Sequence, residues 1–286
     1  MKKAALFAIA ALALAGALCG PAAAADTLAG VKAKGVLIVG VRDTAPPFGT
    51  FNPDRNRYEG YDIDVARYIA EKLGVKLDFQ RVTASSRIPS LTDNRVDLIA
   101  AAMTKTPERA ERIDFSHTYF LTGQKFLARK GKIRSLKDLE GKRIAVGKGT
   151  TAEQLMKSSV PQATVVSFED YPMGFVALKQ GKVDAVTTDE SILGGQLCLL
   201  ERNPATRGKF EIPDIQLSIE PYALGVRKND PDFLKFVNNT LLEMEQNGEA
   251  KKIFQRWFGP KTECPINRGG FVISQDTLMA KSPAGQ

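Results

Sequence analysis

The chain has 286 residues, 43% of them hydrophobic, and 40 Lys and Arg outnumber 32 Asp and Glu for a formal net charge of +8. Its length exceeds the usual single-core size, so two lobes are expected, and its apolar content is that of a globular chain with no hydrophobic span beyond its first residues. His117 is the only histidine, which leaves neither a metal ligand set nor a Ser-His-Asp or Cys-His hydrolytic set, and no cofactor is expected.

The first residues set the compartment. Lys2 and Lys3 precede an apolar run over residues 4–18, and small residues 22–25 precede Asp26. This is the three-part pattern of a secretory signal over residues 1–25, cleaved between Ala25 and Asp26 and delivering the chain to the periplasm. A membrane anchor needs about 20 apolar residues, more than this run has. Lipidation at Cys19 would want Leu and a small residue at the first and last places of Gly16-Ala17-Leu18, and the order here is reversed. Without Lys2 and Lys3 the net charge falls from +8 to +6. Outside the cytoplasm that balance argues against nucleic acid and for an anionic ligand or membrane surface, with solubility as the plain alternative. The two remaining cysteines, Cys198 and Cys264, read as one disulfide of an exported chain.

Strand and helix patterns alternate along the rest. Val36–Val41 is a β-branched strand. A helix starts at Asp62, with Ile63, Ala66, Ile69, Ala70 and Leu73 on one face and Gly74 as its stop. A strand over residues 75–82, a short helix over 88–93 and an apolar strand over 96–103 follow. The alternation then restarts with a strand over 125–129, a helical turn over 136–139 capped by Ser135, and a strand over 143–147. Gly149-Thr150-Thr151 opens a helix, and 164–168 is a strand before a helix reaching Gln180. Strands over 184–188 and 222–227 precede a long helix over 231–247 ended by Gly248. Two α/β runs imply two copies of one architecture with largely parallel sheets covered by helices. No sequence repeat accompanies them.

The stretch Gly60-Tyr61-Asp62-Ile63-Asp64-Val65, with Ile69-Ala70 and Leu73, resembles the signature of the polar amino acid solute-binding proteins, extracellular solute-binding family 3, which serve ATP-binding-cassette importers. Its parts make physical sense as a glycine turn, an acidic helix start and a core-facing stripe. Further matches follow in order: Val39-Gly40-Val41-Arg42 with Pro47-Phe48, Asp97 with Thr104 and Thr106-Pro107-Glu108-Arg109, Asp114-Phe115-Ser116 with Tyr119, Gly149-Thr150-Thr151, and Gly181 with Asp184-Ala185 and Asp189. The resemblance covers nearly all of the mature chain.

It implies a two-lobed α/β periplasmic-binding-protein-like fold of type II, with the ligand cleft between lobes. The first lobe would comprise residues 26–123 and 223–258, the second 124–222, and a tail 259–286, with crossings near Gly123-Gln124 and Tyr222-Ala223. It further implies a monomer that binds an amino acid, works with a membrane permease, and is not an enzyme. In the family pattern Arg109 takes the ligand α-carboxylate bidentately, helped by Thr104 and by Thr151 at a helix start. Asp189 accepts from the α-ammonium. Each has a plainer alternative: Arg109 as one cation of a solvated helix face, Asp189 as the cap of a helix at Ser191. Phe48 would cover the ligand's aliphatic part or belong to the core.

Arg42 and Arg87 bear on specificity. Ser86-Arg87-Ile88-Pro89 resembles glutamate/aspartate-binding members, as does the tail from Ile266 through Phe271 to Leu278. Two extra arginines near the cleft call for a second ligand acid. Asp43 beside Arg42 leaves a cationic ligand as the alternative, and Ala84 and Ala102 stand where acidic-ligand relatives often carry hydroxyls. Tyr171 occupies a place held by histidine or tyrosine in relatives. The rival reading is a cyclohexadienyl dehydratase-like enzyme on the same fold, with Glu153 or Glu190 as general acid. Finally, the Cys198–Cys264 bridge requires the chain after Gly259 to cross to the second lobe.

Overall fold

The computed structural model describes residues 26–275 except 263 and 267, so the expected signal and the last part of the tail lie outside the described residues. A nine-stranded sheet runs in the order Lys76–Arg81, Val36–Val41, Leu98–Ile99, Ser218–Arg227, Ile113–Arg129, Ala185–Asp189, Arg143–Gly147, Thr164–Phe168, with Phe210–Glu211 off the path against Ile113–Arg129. Its two flanks are parallel, as βα alternation demands, but its centre is antiparallel. The cause is Ile113–Arg129. It begins well before the expected 125, pairs with Ser218–Arg227 up to Gln124, and then pairs with Ala185–Asp189 from Gln124 onward. One strand therefore runs through the centre of the sheet and pairs with both of its halves. Among the described residues no helix is long and apolar enough to cross a membrane.

Helix Tyr61–Leu73 buries the expected stripe of Ile63, Ala66, Ile69, Ala70 and Leu73. Burying each of the large aliphatic side chains contributes about 1.5–3 kcal/mol. Gly74, at φ 69°, ends the helix with its N–H on Ala70 O. At the other end Gly60 has φ 146°, and a Cβ there would lie 2.1 Å from Phe48 O. Only glycine lets the chain pass that close. The loop so fixed puts Phe48 into a buried aromatic cluster with Tyr61, Phe120, Tyr222 and Phe258, at centroid distances of 4.8–6.1 Å. That cluster joins both central strands to helix Glu249–Phe258, which sequence periodicity left unassigned.

Two further expectations change. The apolar run 96–103 forms only the strand Leu98–Ile99, because the backbone turns at Ala102, φ 46°. Its N–H donates to Asp62 Oδ2 at 2.7 Å instead of to a strand partner. Asp97, matched to a carboxylate-binding motif, instead anchors the first strand, accepting from Ile38 N at 3.0 Å and pairing with Lys34 and Arg227.

Cys198 and Cys264 are disulfide-bonded, with Cα atoms 6.0 Å apart. Cys198 lies within helix Glu190–Arg202, not after it, and the chain past Gly259 reaches over to that helix. It then turns back. Arg268 Nη1 donates to Glu245 Oε1 at 2.9 Å and Ile273 N to Glu245 Oε2 at 3.0 Å, so the tail packs on helix Pro231–Gln246. A bridge across 66 residues contributes about 4 kcal/mol by loop entropy. Mature protein denatured without reductant should therefore show no free thiol, and dithiothreitol should lower its melting temperature by several degrees. Two titratable thiols in the unreduced protein would refute the bridge.

Candidate ligand-binding cleft

The candidate residues sit at strand ends and helix starts. Arg42 follows strand Val36–Val41, and Arg87 opens helix Arg87–Thr92. Thr104 bridges to Tyr222, and Arg109 lies in the turn Pro107–Ala110, which Thr106 caps by accepting from Arg109 N. Thr151 and Tyr171 begin helices Thr151–Ser159 and Tyr171–Lys179, and Asp189 ends strand Ala185–Asp189. Open α/β sheets place ligands at such carboxyl ends. Arg87, Thr104, Arg109, Thr151, Tyr171 and Asp189 line one polar cavity of about 10 Å³, room for about one water. Arg42 lies behind it, its guanidinium 4.4 Å from the Tyr171 ring centroid. Phe48 does not line the cavity. It is a fully buried member of the aromatic cluster.

The walls meet across the cleft. Arg109 Nη2 donates to Gly149 O at 3.2 Å, Thr44 Oγ1 to Asp170 Oδ1 at 2.8 Å, and Arg81 Nη2 to Asp170 Oδ2 at 2.9 Å. Gly149, φ 73°, leaves no room for a side chain, since a Cβ would lie 2.8 Å from Ser85 Cα.

The cations are held by carbonyls. Arg87 is 3% exposed and donates from Nε to Ala84 O at 3.1 Å and from Nη1 to Ala101 O and Ala102 O at 3.0 and 2.8 Å. Burial, with Arg109 and Arg42 adding their repulsion, pushes its pKa down to about 9. Arg109 donates from Nη1 to Thr104 O at 2.7 Å, and burial lowers its pKa too. Arg42 is as deeply buried, with Nη2 3.6 Å from Asp170 Oδ1. Asp43, the hint of a cationic ligand, is committed to Arg81 at 2.8 Å.

Two carboxylates are pushed the other way. Asp189 is buried, and burial followed by the charge of Glu220 raises its pKa to about 7. Although it stands at the N-cap of helix Glu190–Arg202, its side chain makes no cap hydrogen bond. Asp62 is raised to about 7 by burial while accepting from Tyr119 Oη at 2.6 Å and from Ala102 N.

Glu220 escaped the sequence reading. It is 1% exposed and accepts from Thr104 Oγ1, from Ser218 Oγ, and from Thr151 Oγ1 at 3.0 Å. The available signal was an acid between Ile219 and the apolar stretch starting at Pro221, in a strand that begins at Ser218 and not at Tyr222. The candidate general acids lie elsewhere. Glu153 accepts from Gly149 N at 3.0 Å and Ser167 Oγ at 2.8 Å, and Glu190, half exposed, pairs with Lys125 at 3.0 Å. Neither lines the cavity.

Known proteins share this architecture. The family model for bacterial extracellular solute-binding proteins, family 3, matches residues 37–260. The ABC transporter glutamine-binding protein GlnH of Bacillus subtilis is 36% identical over 237 residues, 81% of this chain and 84% of that protein. A glutamate/aspartate import solute-binding protein of Salmonella typhimurium is 33% identical over 278 residues, 92% of this chain and 90% of that one. Among solved structures, the ancestral amino acid-binding protein AncCDT-1, a precursor of cyclohexadienyl dehydratase, superposes with a TM-score of 0.75 at 33% identity, covering 81% of this chain and 99% of its own. With a two-lobed α/β fold, two arginines and a buried aspartate lining one cavity, and a family match over most of its length, the chain belongs to the bacterial extracellular solute-binding proteins of family 3.

Proposed function

We propose that the chain is exported by its first 25 residues, captures a free amino acid in the cleft as a monomer, and delivers it to the permease of an ABC importer, with glutamate or aspartate as its ligand. The observation that carries the acidic reading is Arg87, a buried guanidinium whose hydrogen-bond partners among the described residues are carbonyls and which Arg109 and Arg42 repel. A buried cation without an acid is costly, and a ligand side-chain carboxylate would neutralise it. Arg109 then serves the α-carboxylate and Asp189 the α-ammonium. Glutamine, named for the Bacillus relative, has the same α-groups and differs at the side-chain end, where Arg87 makes the distinction. We take residues 26–123 and 223–258 as one lobe, 124–222 as the other, and 259–286 as a tail, with the paired central strands as the crossings. An enzyme is not favoured, because neither Glu153 nor Glu190 lines the cavity.

Thermal-shift screening of ligand-stripped protein against all amino acids tests the assignment. Binding to the native state alone stabilises by about 4 kcal/mol at a thousandfold excess over Kd, so glutamate or aspartate should raise the melting temperature most. A clear win for glutamine or arginine would overturn the acidic class.

The arginines should divide the work. By calorimetry, Arg109→Ala should weaken every amino acid that binds, whereas Arg87→Ala should weaken acidic ones by about 2–5 kcal/mol and neutral ones little. Equal losses for both ligand types in both variants would remove the distinction.

The pH dependence has two opposite signs. Asp62 and Asp189 both sit at about 7 in the fold against 3.8 ordinarily. Between those values the folded state holds more protons than the unfolded one, so stability of the free protein should fall as pH rises from about 4 to about 7. Ligand affinity should rise over the upper part of that range, because Asp189 must be ionised to accept an ammonium. Calorimetry at about pH 6 in buffers of different ionisation enthalpy should detect proton release on binding, and Asp189→Asn should abolish it. Affinity flat from about pH 5.5 to 8 would show that Asp189 does not gate binding.

A further inference from the structure

Glu220 is buried, yet no lysine or arginine among the described residues forms an ion pair with it. Its partners are three hydroxyls. Thr104 and Thr151 both meet Oε2, and Ser218 meets Oε1. A carboxylate can only accept, and a hydroxyl has one proton. Thr104 and Thr151 therefore spend their protons on Glu220, and what they have left for the cavity they line is lone pairs. Lone pairs suit a cation and repel a carboxylate. Asp189 lines the same cavity, so a positive group held by these hydroxyl lone pairs meets its carboxylate as well.

We propose that Glu220 is a positioning residue of the cleft: it turns the hydroxyls of Thr104 and Thr151 into acceptors, so that they hold the ligand's ammonium together with Asp189. This reverses the donor role that the sequence reading gave both threonines and leaves the α-carboxylate to Arg109 and the N–H groups at the start of helix Thr151–Ser159. It rests on the amino-acid-binding reading of the site but not on the acidic class.

The test compares each amino acid with its counterpart lacking the amino group. L-Glutamate is paired with glutarate and L-glutamine with glutaramate, titrated by calorimetry, with displacement for the weaker members. Thr104→Val should weaken the amino acid about tenfold or more, the worth of a hydrogen bond to a charged group, and leave the deaminated partner unchanged. Glu220→Gln should do the same. In a Thr104→Val/Thr151→Val background it should cost no more than about twofold, the usual error of additivity. Equal losses for both members of a pair in Thr104→Val would overturn the proposal, since that is the signature of a donor to the carboxylate. So would a full Glu220→Gln loss surviving in the double-valine background, which would make Glu220 a through-space charge only. If Glu220→Gln fails to fold, the Thr104→Val comparison still decides the polarity of the hydroxyl. Wild-type protein that takes glutamine and not glutamate would sink the acidic assignment while the glutamine pair still reads the role of Glu220.

Discussion

The bond from Ala102 N to the Asp62 carboxylate fixes what surrounds it. Asp62 is 2% exposed at the start of helix Tyr61–Leu73, and it accepts from Ala102 N and Tyr119 Oη. Holding Ala102 in the left-handed region costs about 1–3 kcal/mol, which a hydrogen bond to a buried acid offsets. Once the turn is made, the carbonyls of Ala101 and Ala102 point at Arg87 and hold its guanidinium in the interior. Thus a helix, a strand end and a tight turn locate one buried cation. The position of that cation is the reason to read an anionic ligand group at all.

A cavity of about 10 Å³ cannot admit an amino acid, so binding requires the lobes to part and close again, as hinge-bending binding proteins do. Polar bonds across the cleft come from Arg109, Thr44, Arg81 and the Thr104–Glu220 pair. Each involves a charged group and contributes about 1.5–3 kcal/mol where buried and less where exposed, as at Arg81, a scale that ligand contacts to charged groups can match. On the lobe division proposed above, the paired strands Ile113–Arg129 and Ser218–Arg227 are the crossings, and their register slips between Tyr222 and Ala223 and again before Gly225. Irregular pairing there is where a bend needs the fewest broken bonds.

Much of this was legible in the chain, and what was not has a common cause. Helix Tyr61–Leu73 and the flanking strands show in periodicity because each buries one face or both. The turn at Ala102 does not show. The run from Val96 to Met103 is apolar throughout and reads as a strand, and only distant Asp62 and Arg87 bend it. Glu220 was hidden for the same reason: its partners Thr104 and Thr151 are far away in sequence. Phe48 was legible as either ligand cover or core, and only the aromatic cluster decides between them. The fold brought six of the candidates to one cavity, at helix starts, turns and one strand end, and left Arg42 and Phe48 outside its lining.

Net charge alone would not choose a ligand for this cleft. Arg42, Arg87 and Arg109 face Asp189 and Glu220, with Asp170 close to Arg42, so the formal sum is near zero. Placement does the choosing. Arg87 is enclosed by carbonyls on the side of the turn at Ala102, whereas Asp189 and Glu220 lie toward the second lobe and the crossing strand. The cleft is therefore a dipole, and in its buried interior opposite charges attract more strongly than in water. On the reading proposed above, the arginines belong to one lobe and Asp189 to the other, so an amino acid meets all of these charges only when both walls reach it. The ligand's own charge separation then supplies the differential affinity that a closed state requires.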